Sequence, residues 1–521
     1  MSKGPFYITT AISYVNGAPH LGHAYEAILT DVMARFKRLD GFDVTFLTGT
    51  DEHGEKVAKT AAENNATPLE FANQNAAQFI EMTKLLNISN DDFIRTTEER
   101  HYQASQALWK KLEENGDIYL GKYEGWYSVR EEGYFTEEEL QIDPTTGDKL
   151  SPNGTPVAWV EEESYFFKLS EYTQKLLSYY EQNPKFIQPS SRLNEIKAFV
   201  GQEGGLRDLS ISRHKDRLHW GIPVPDNEEH VMYVWLDALT NYLTAIGYPD
   251  IEKKTYIQNW PANYHVIGKD IIRFHAVYWP AFLMAAGLDI PKTIFAHGFI
   301  NVDGTKMSKS IGNVLSPKGM TETYGLDQIR YFLMREIPHG QDGNFNHDKA
   351  ITRMNADLAN GMGNLAQRTL SMIYKNCDEI IPDNSHMNEE DRALLSQINT
   401  SLEKALKEVD DFKIHRALEE IWRGVSAANG YIDAQEPWAL KKQNPERMKT
   451  VLYTLAEAIR RLAIMIQPVT PAAASKILDQ LKIDRNERTF KHINDTYTLK
   501  PNTKIDKPEG VFPRILVEEA A

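Results

Sequence analysis

Short apolar runs alternate along this chain with longer stretches in which apolar positions recur every three to four residues. Phe6 to Ile12, Val44 to Leu47, Tyr264 to Ile267 and Thr293 to Ala296 read as buried strands, and Gly22 to Leu39 and Asp270 to Ala286 as amphipathic helices. That alternation predicts an α/β fold whose parallel sheet binds ligands at the carboxyl ends of its strands. From Asp117 to Trp220 the sequence turns acidic and turn-rich, as in Ile142-Asp143-Pro144-Thr145-Thr146-Gly147, which predicts an inserted domain. From about Asp348 onward only helical patterns remain: Asn355 to Ile373, Asp391 to Asp410, His415 to Ala434 and Pro445 to Ile466, punctuated by Pro468 and Pro471. The expected order is therefore a first sheet half over 1–116, an insertion over 117–220, a second half over 221–300, a loop region over 301–350 and an α-helical bundle over 351–521.

Composition narrows the class. A chain of 521 residues is too long for one core, and 41% hydrophobic with 25% charged residues is ordinary for a globular protein. No apolar run reaches membrane-spanning length and no signal-peptide pattern opens the sequence, so a cytoplasmic protein is expected. The single Cys377 excludes an internal disulfide and an all-cysteine metal site. The net charge of −15 is uneven: residues 351–521 carry 24 Lys and Arg against 25 Asp and Glu, so about −14 belongs to residues 1–350. A nucleic acid can approach the near-neutral tail while the acidic surface limits nonspecific binding, although solubility alone accounts equally well for the charge.

Two short motifs lie almost three hundred residues apart, His20-Leu21-Gly22-His23 and Lys306-Met307-Ser308-Lys309-Ser310. The first opens a helix after a strand, where unpaired N–H groups and the helix dipole attract phosphate. Gly22 lets a flat base approach the backbone. His20 and His23, three apart, fall on one helical face and can donate to phosphate oxygens. Lys306 and Lys309 sit in a glycine-containing loop that can close over a triphosphate and neutralise it. Either motif alone has a bland reading, a structural histidine pair or a basic loop.

In this order and spacing the two motifs resemble the signatures of class I aminoacyl-tRNA synthetases. Tyr14-Val15-Asn16-Gly17, Thr50-Asp51-Glu52-His53-Gly54, Tyr233-Val234-Trp235-Leu236-Asp237-Ala238 and Ile267-Gly268-Lys269-Asp270-Ile271 narrow the resemblance to the methionyl-tRNA synthetase family, over essentially the whole chain. The resemblance implies a Rossmann-like catalytic domain split by an inserted connective domain and followed by a helical anticodon-binding domain. It implies activation of methionine by ATP with Mg2+, then transfer to methionine tRNA. His20, His23, Lys306 and Lys309 would stabilise phosphates and the departing pyrophosphate, with Arg213 nearby. Gly268 and Asp270 would hold the nucleotide, Asp270 through its ribose. Asp51 would hold the substrate ammonium. Ile12, Tyr14, Trp235, Ala238, Leu239, Tyr242, Ile271 and His275 would line the methionine site, where aromatic surface suits a thioether. Asn364, Arg368 and Trp438 would read the anticodon by hydrogen bonding and stacking. In many members of the family the insertion folds around zinc held by cysteines. The insertion here has none, so the zinc-free form is implied. No further RNA-binding or dimerisation segment is recognisable, and a monomer is expected.

Three other readings compete. A small-molecule nucleotidyltransferase would share the histidine signature but leaves the helical tail unexplained. A metallohydrolase would use His20, His23, Asp51 and His53 around a tightly bound metal. A noncatalytic tRNA-binding descendant would not need the intact histidines and lysines.

Overall fold

The apolar runs pair side by side. In the computed structural model, which describes residues 2–131, 133–135, 137–308 and 312–516, the strand Pro5–Thr10 lies between Asp43–Asp51 and Tyr264–Gly268. Ile294–His297 and then Ile187–Gln188 extend the sheet on one side, and Asp92–Arg95 and the short Ser13–Tyr14 flank Asp43–Asp51 on the other. The pairings of Tyr264–Gly268 with Pro5–Thr10 and Ile294–His297, and of Asp43–Asp51 with Ser13–Tyr14 and Asp92–Arg95, are parallel. Strand order thus reverses between Pro5–Thr10 and Tyr264–Gly268, and the carboxyl ends at that reversal form the crevice where such sheets bind ligands.

The chain divides into two compact units. A sheet unit comprises Phe6–Pro19 and Thr45–His297, and a helical unit comprises Met1–Pro5, His20–Val44 and Gly298–Ala521. Within the sheet unit the stretch 117–220 builds a four-stranded antiparallel sheet on the long hairpin Ile118–Ser128 and Ala158–Phe167. It also returns to the parallel sheet, giving it the edge strand Ile187–Gln188, while Leu176, Tyr180, Leu193 and Ile196 join the core that contains Leu239 and Tyr242. The strand over Val44 to Leu47 continues to Asp51. Gly49 permits this, because a Cβ there would collide with the carbonyl of Ile94 on the adjacent strand.

Two expected helices are not uniform. The segment Asp270 to Ala286 consists of a 3-10 turn Lys269–Ile271, a π-helical turn Phe274–Tyr278 and an α-helix Trp279–Ala286. Pro280 lacks an amide proton and cannot continue a ladder from the preceding turn. The segment from Asn355 is π-helical to Gly363 and α-helical only over Asn364–Asn376. There the chain near the C-terminus presses in: a Cβ on Gly363 would meet that of Phe512 at 3.3 Å, and the Asn355 amide exchanges two hydrogen bonds with the backbone of Ile515.

In the helical unit, Pro445–Ile466 runs through the bundle almost wholly buried, among Asn364–Asn376, Glu389–Asp410 and Ile414–Gln435. Its one buried acid, Glu457, accepts from Arg460 and Arg461 and from the backbone N–H of Leu499, which ties the C-terminal segment to the bundle. The helix Leu21–Leu39, which follows the first signature histidine, is anchored by charge. Asp31 accepts from Arg330 at 2.6 Å with both side chains fully buried, and Arg330 also donates to the carbonyls of Pro468 and Val469. Among the described residues no helix is long and apolar enough to cross a membrane. Asp31 also accepts from Arg35 at 2.7 Å, so Arg330→Met leaves the buried carboxylate one partner and should cost less stability than the about 3 to 5 kcal/mol of a fully unpaired buried charge. Asp31→Leu combined with Arg330→Met should recover most of it, as read by urea unfolding of single and double variants.

Candidate active site

The crevice at the strand reversal gathers most of the residues singled out in the sheet unit. Ile12 follows the strand Pro5–Thr10, whose neighbour Ala11 donates its N–H to the Val266 carbonyl. Asp270 follows Tyr264–Gly268 in an exposed turn. A Cβ on Gly268 would stand 2.5 Å from the Asp270 carboxylate, so a larger residue would displace that exposed side chain. Tyr14 and Asp51 are direct partners across two parallel strands. Sheet spacing sets their backbones about 4.8 Å apart and puts both side chains on the same face of the sheet. Asp51 is buried, and the Lys56 ammonium lies 5.5 Å over the Tyr14 ring.

The helix Val234–Thr244 supplies Trp235, Ala238, Leu239 and Tyr242. Trp235 stacks on Phe274 at 3.6 Å between centroids and meets the edge of His275. The Tyr242 hydroxyl bonds to His275 Nε2 at 2.7 Å, and His275 Nδ1 donates to the Ile271 carbonyl at 3.0 Å. With its proton on Nδ1, His275 accepts from Tyr242 and is neutral, and burial pushes its pKa down to about 4. The π-helical turn brings His275 into this position by offsetting the helix one residue. Ile12, Trp235 and Ile271 are half-buried at the margin of the core that contains Leu239 and Tyr242.

Arg213 is buried in the strand Ser212–His214. It donates to Ser210 Oγ at 2.9 Å and to the Ser212 carbonyl at 2.7 Å, and its guanidinium lies over the Tyr233 ring. Its contacts brace the start of the helix that carries Trp235.

In the helical unit the first signature differs from expectation. His20 is the N-cap of Leu21–Leu39 and not part of its face. Its Nδ1 accepts from the Gly22 N–H at 3.1 Å, and His23 Nδ1 accepts from the His20 N–H at 3.2 Å. The two rings stack at 3.9 Å. Each neutral ring therefore carries its proton on Nε2, as a donor. Burial, with the neighbouring His20 adding to it, pushes the His23 pKa down to about 3. Gly22 also leaves room for this cap: a Cβ there would meet the His20 ring at 2.9 Å.

Lys306 ends the strand Thr305–Lys306, paired with Ile300–Val302, and its ammonium lies 4.8 Å from the centroid of the Phe299 ring. Asn313 holds the loop on itself, accepting from the Ser308 N–H and donating to the Lys306 carbonyl. Lys309, with Ser310, lies outside the described residues.

Arg368 and Trp438 come together: the guanidinium lies 5.2 Å over the indole. Asn364 is exposed one turn before Arg368. Trp438 is 45% exposed.

Asp237 and His101, which are not among the residues expected at the site, form a buried cluster with His53. Asp237, within the block of Trp235, is wholly buried and accepts from His53 Nδ1 at 2.6 Å and from His101 Nε2 at 2.7 Å. Burial pushes its pKa up, and the two imidazoles outweigh that and hold it below the usual carboxylate range. One acid in an otherwise apolar helix was a visible signal. His101, far away in sequence, gave none. His53 also bonds to the Tyr102 hydroxyl, so both its nitrogens are engaged, which removes it from a metallohydrolase site. Among the described residues no group of three or more His, Cys, Asp or Glu is arranged to hold a metal. In the hairpin of the stretch 117–220, Thr155 donates to Glu131 at 2.5 Å, Asn153 donates at 2.7 Å, and Ser151 and Ser128 complete the cluster. Hydroxyls bonded to one another around one carboxylate do not fit zinc.

The family model for tRNA synthetases class I (M) matches residues 6–370, and that for the anticodon binding domain of methionyl tRNA ligase matches residues 381–521. The methionine–tRNA ligase of Brucella suis biovar 1 is 56% identical over 514 residues, covering 99% of this chain and 98% of its own. That of Mesorhizobium japonicum is 54% identical over all of both chains. Among solved structures, Mycobacterium tuberculosis methionyl-tRNA synthetase in complex with methionyl-adenylate superposes with a TM-score of 0.94 at 51% identity, over 98% of this chain and 100% of that one.

The buried neutral state of His275 has a pH consequence. Below its ordinary value of 6.5 the unfolded ring takes a proton that the folded ring refuses until about pH 4, so stability present above 6.5 is lost as pH falls through that window. His275→Gln should therefore flatten the dependence of unfolding free energy on pH between those values, by up to about 1.4 kcal/mol per pH unit. Urea titrations of both proteins across the window measure it.

Proposed function

This chain belongs to the methionine-specific class I tRNA synthetases, and from that membership together with the site's geometry we propose how it charges tRNA with methionine. ATP and methionine form methionyl-adenylate: a carboxylate oxygen of methionine attacks the α-phosphorus, and the bond to pyrophosphate breaks. A tRNA hydroxyl then attacks the acyl carbon and AMP leaves. Neither step requires a protein nucleophile, so the protein's share is positioning and charge.

Methionine is proposed to lie against Tyr14, Trp235 and Tyr242, with Ile12, Ala238, Leu239 and Ile271 as aliphatic walls and neutral His275 as the floor. The two strands that pair Tyr14 with Asp51 support this, since they set an aromatic ring beside an acid suited to the ammonium. ATP is proposed to use Asp270 for its ribose beside Gly268. Its phosphates would be met by the Nε2 protons of His20 and His23 at a helix N-terminus and by Lys306 and Lys309. Mg2+ accompanies ATP by adding positive charge to its phosphates. No structural zinc is proposed, and the Glu131 cluster of hydroxyls supports that. The proposed domains are a catalytic domain over 1–116 and 221–300, a connective insertion over 117–220, a linking region over 301–350 and an anticodon-binding domain over 351–521, at work in the cytoplasm.

The observation that carries this reading is that both family models match in order along a chain whose first signature opens the helix Leu21–Leu39. Its test is amino-acid-dependent exchange of pyrophosphate into ATP across all twenty amino acids. Methionine alone should support it, and exchange with another amino acid only would refute the assignment.

Two variants separate the tasks. Asp51→Ala should weaken methionine binding by about 1.5 to 3 kcal/mol or more, the worth of a hydrogen bond to a charged group. Equilibrium binding of methionine measures it, and full retention would assign the ammonium to another residue. Trp438→Ala should lose about 1 to 3 kcal/mol of tRNA interaction, the worth of one base stacked on an aromatic ring. Charging should fall while exchange and melting temperature hold, because the indole is 45% exposed and not part of the core. A lowered melting temperature with both activities reduced would remove Trp438 from anticodon recognition.

A further inference from the structure

The two halves of the proposed methionine site stand on different elements. Asp51 ends a strand of the sheet, and Trp235, Ala238, Leu239 and Tyr242 stand on the helix Val234–Thr244. Recognition of methionine requires that the ammonium anchor and the apolar slot keep a fixed separation, because a displacement of about 1 Å in a positioning group can cost about 100-fold. The turn after Asp51 is held on the sheet side. Glu52 takes two hydrogen bonds from Arg95, at 2.7 and 2.9 Å, and one from Thr97, and its carbonyl accepts from Trp220 Nε1 at 2.6 Å. Toward the helix the turn is held by His53, whose Nδ1 donates to Asp237 at 2.6 Å. His101, on the helix Glu99–Glu114, donates to the other carboxylate oxygen at 2.7 Å, and its second nitrogen bonds to Thr244 on the same helix as Asp237. All three side chains are buried.

We propose that Asp237 is a positioning residue for methionine, which acts through His53 to hold the Asp51 carboxylate at a set distance from the aromatic slot carried by its own helix. Helical spacing puts Trp235, Ala238, Leu239 and Tyr242 on one face of Val234–Thr244 and Asp237 on the opposite one, so the helix that shapes the slot also carries the clamp on its back. A carboxylate is required there because it alone accepts from both imidazoles at once. An amide offers one acceptor and one donor, and leaves one imidazole N–H facing a donor. The inference rests on the methionine reading of the site.

The experiment compares the full-length wild type with Asp237→Asn and His101→Asn in methionine-dependent pyrophosphate exchange. It adds competition by 4-(methylsulfanyl)butanoate, which is methionine without its amino group. Methionine-dependent exchange by the wild type tests the reading itself, independently of the variants. In Asp237→Asn the KM for methionine should rise about tenfold or more, while kcat and the KM for ATP stay within about threefold. The inhibition constant of the amine-free analogue should stay at its wild-type value, because that compound does not use Asp51. His101→Asn, which removes only the outer bond of the clamp, should move the same parameter in the same direction by less. An unchanged KM for methionine overturns the proposal. Equal weakening of methionine and of the analogue also overturns it, since that is the result of a collapsed slot. Should Asp237→Asn not fold, the same readings on His101→Asn decide.

Discussion

Ionised carboxylates held in a dry interior by more than one donor fix the geometry of this protein wherever two elements must keep register. A single buried charge costs several kcal/mol unless strong partners surround it, and partners from separate elements then fix those elements to one another. Asp237 does this between the Asp51 turn, the helix Glu99–Glu114 and its own helix. Glu52 does it between the same turn and the strand Asp92–Arg95. Asp31 does it with Arg330, whose other donors reach the end of the longest buried helix, and Glu457 ties that helix to the C-terminal segment. Such clamps add little net stability compared with apolar packing of the same volume. Their effect is directional, since a carboxylate has few arrangements in which all its donors are satisfied.

The sheet was legible in the sequence because its strands are buried on both faces and read as unbroken apolar runs. Phe6 to Ile12 and Tyr264 to Ile267 lie within two residues of their observed ends. The signature histidines were legible as a pair, but their geometry was not. Helical spacing put His20 and His23 on one face, whereas His20 caps the helix and the rings stack. An N-cap and a first-turn residue are separated by the same three positions as two residues on one face, so periodicity cannot distinguish them. The π-helical turns at Phe274–Tyr278 and Asn355–Gly363 were illegible for a related reason: a one-residue offset leaves the apolar pattern of a helix nearly intact. The Asp237 clamp joins residues 53, 101 and 237, and only tertiary structure brings them together.

The proposed site assigns methionine and phosphate to supports of different stiffness, and the chemistry of each explains why. A thioether offers no strong directional bond, so discrimination depends on the depth and rigidity of an apolar slot, where one methylene is worth only about 1 to 3 kcal/mol. Trp235 stacked on Phe274, and Tyr242 hydrogen-bonded to a neutral His275, would meet that need with side chains braced by their neighbours. A triphosphate is the opposite case. Its charge is large and spread over many oxygens, and the charge that develops on pyrophosphate exists only as the bond breaks. Rigid neutral donors at a helix cap suit the part of that charge present throughout, and His20 and His23, uncharged with their protons on Nε2, are such donors. A cation fixed permanently at the leaving group would bind the product as tightly as the transition state, and would slow release as much as it favoured departure. Lysines carried on a loop would avoid that conflict, because a loop can engage for the reaction and withdraw afterwards.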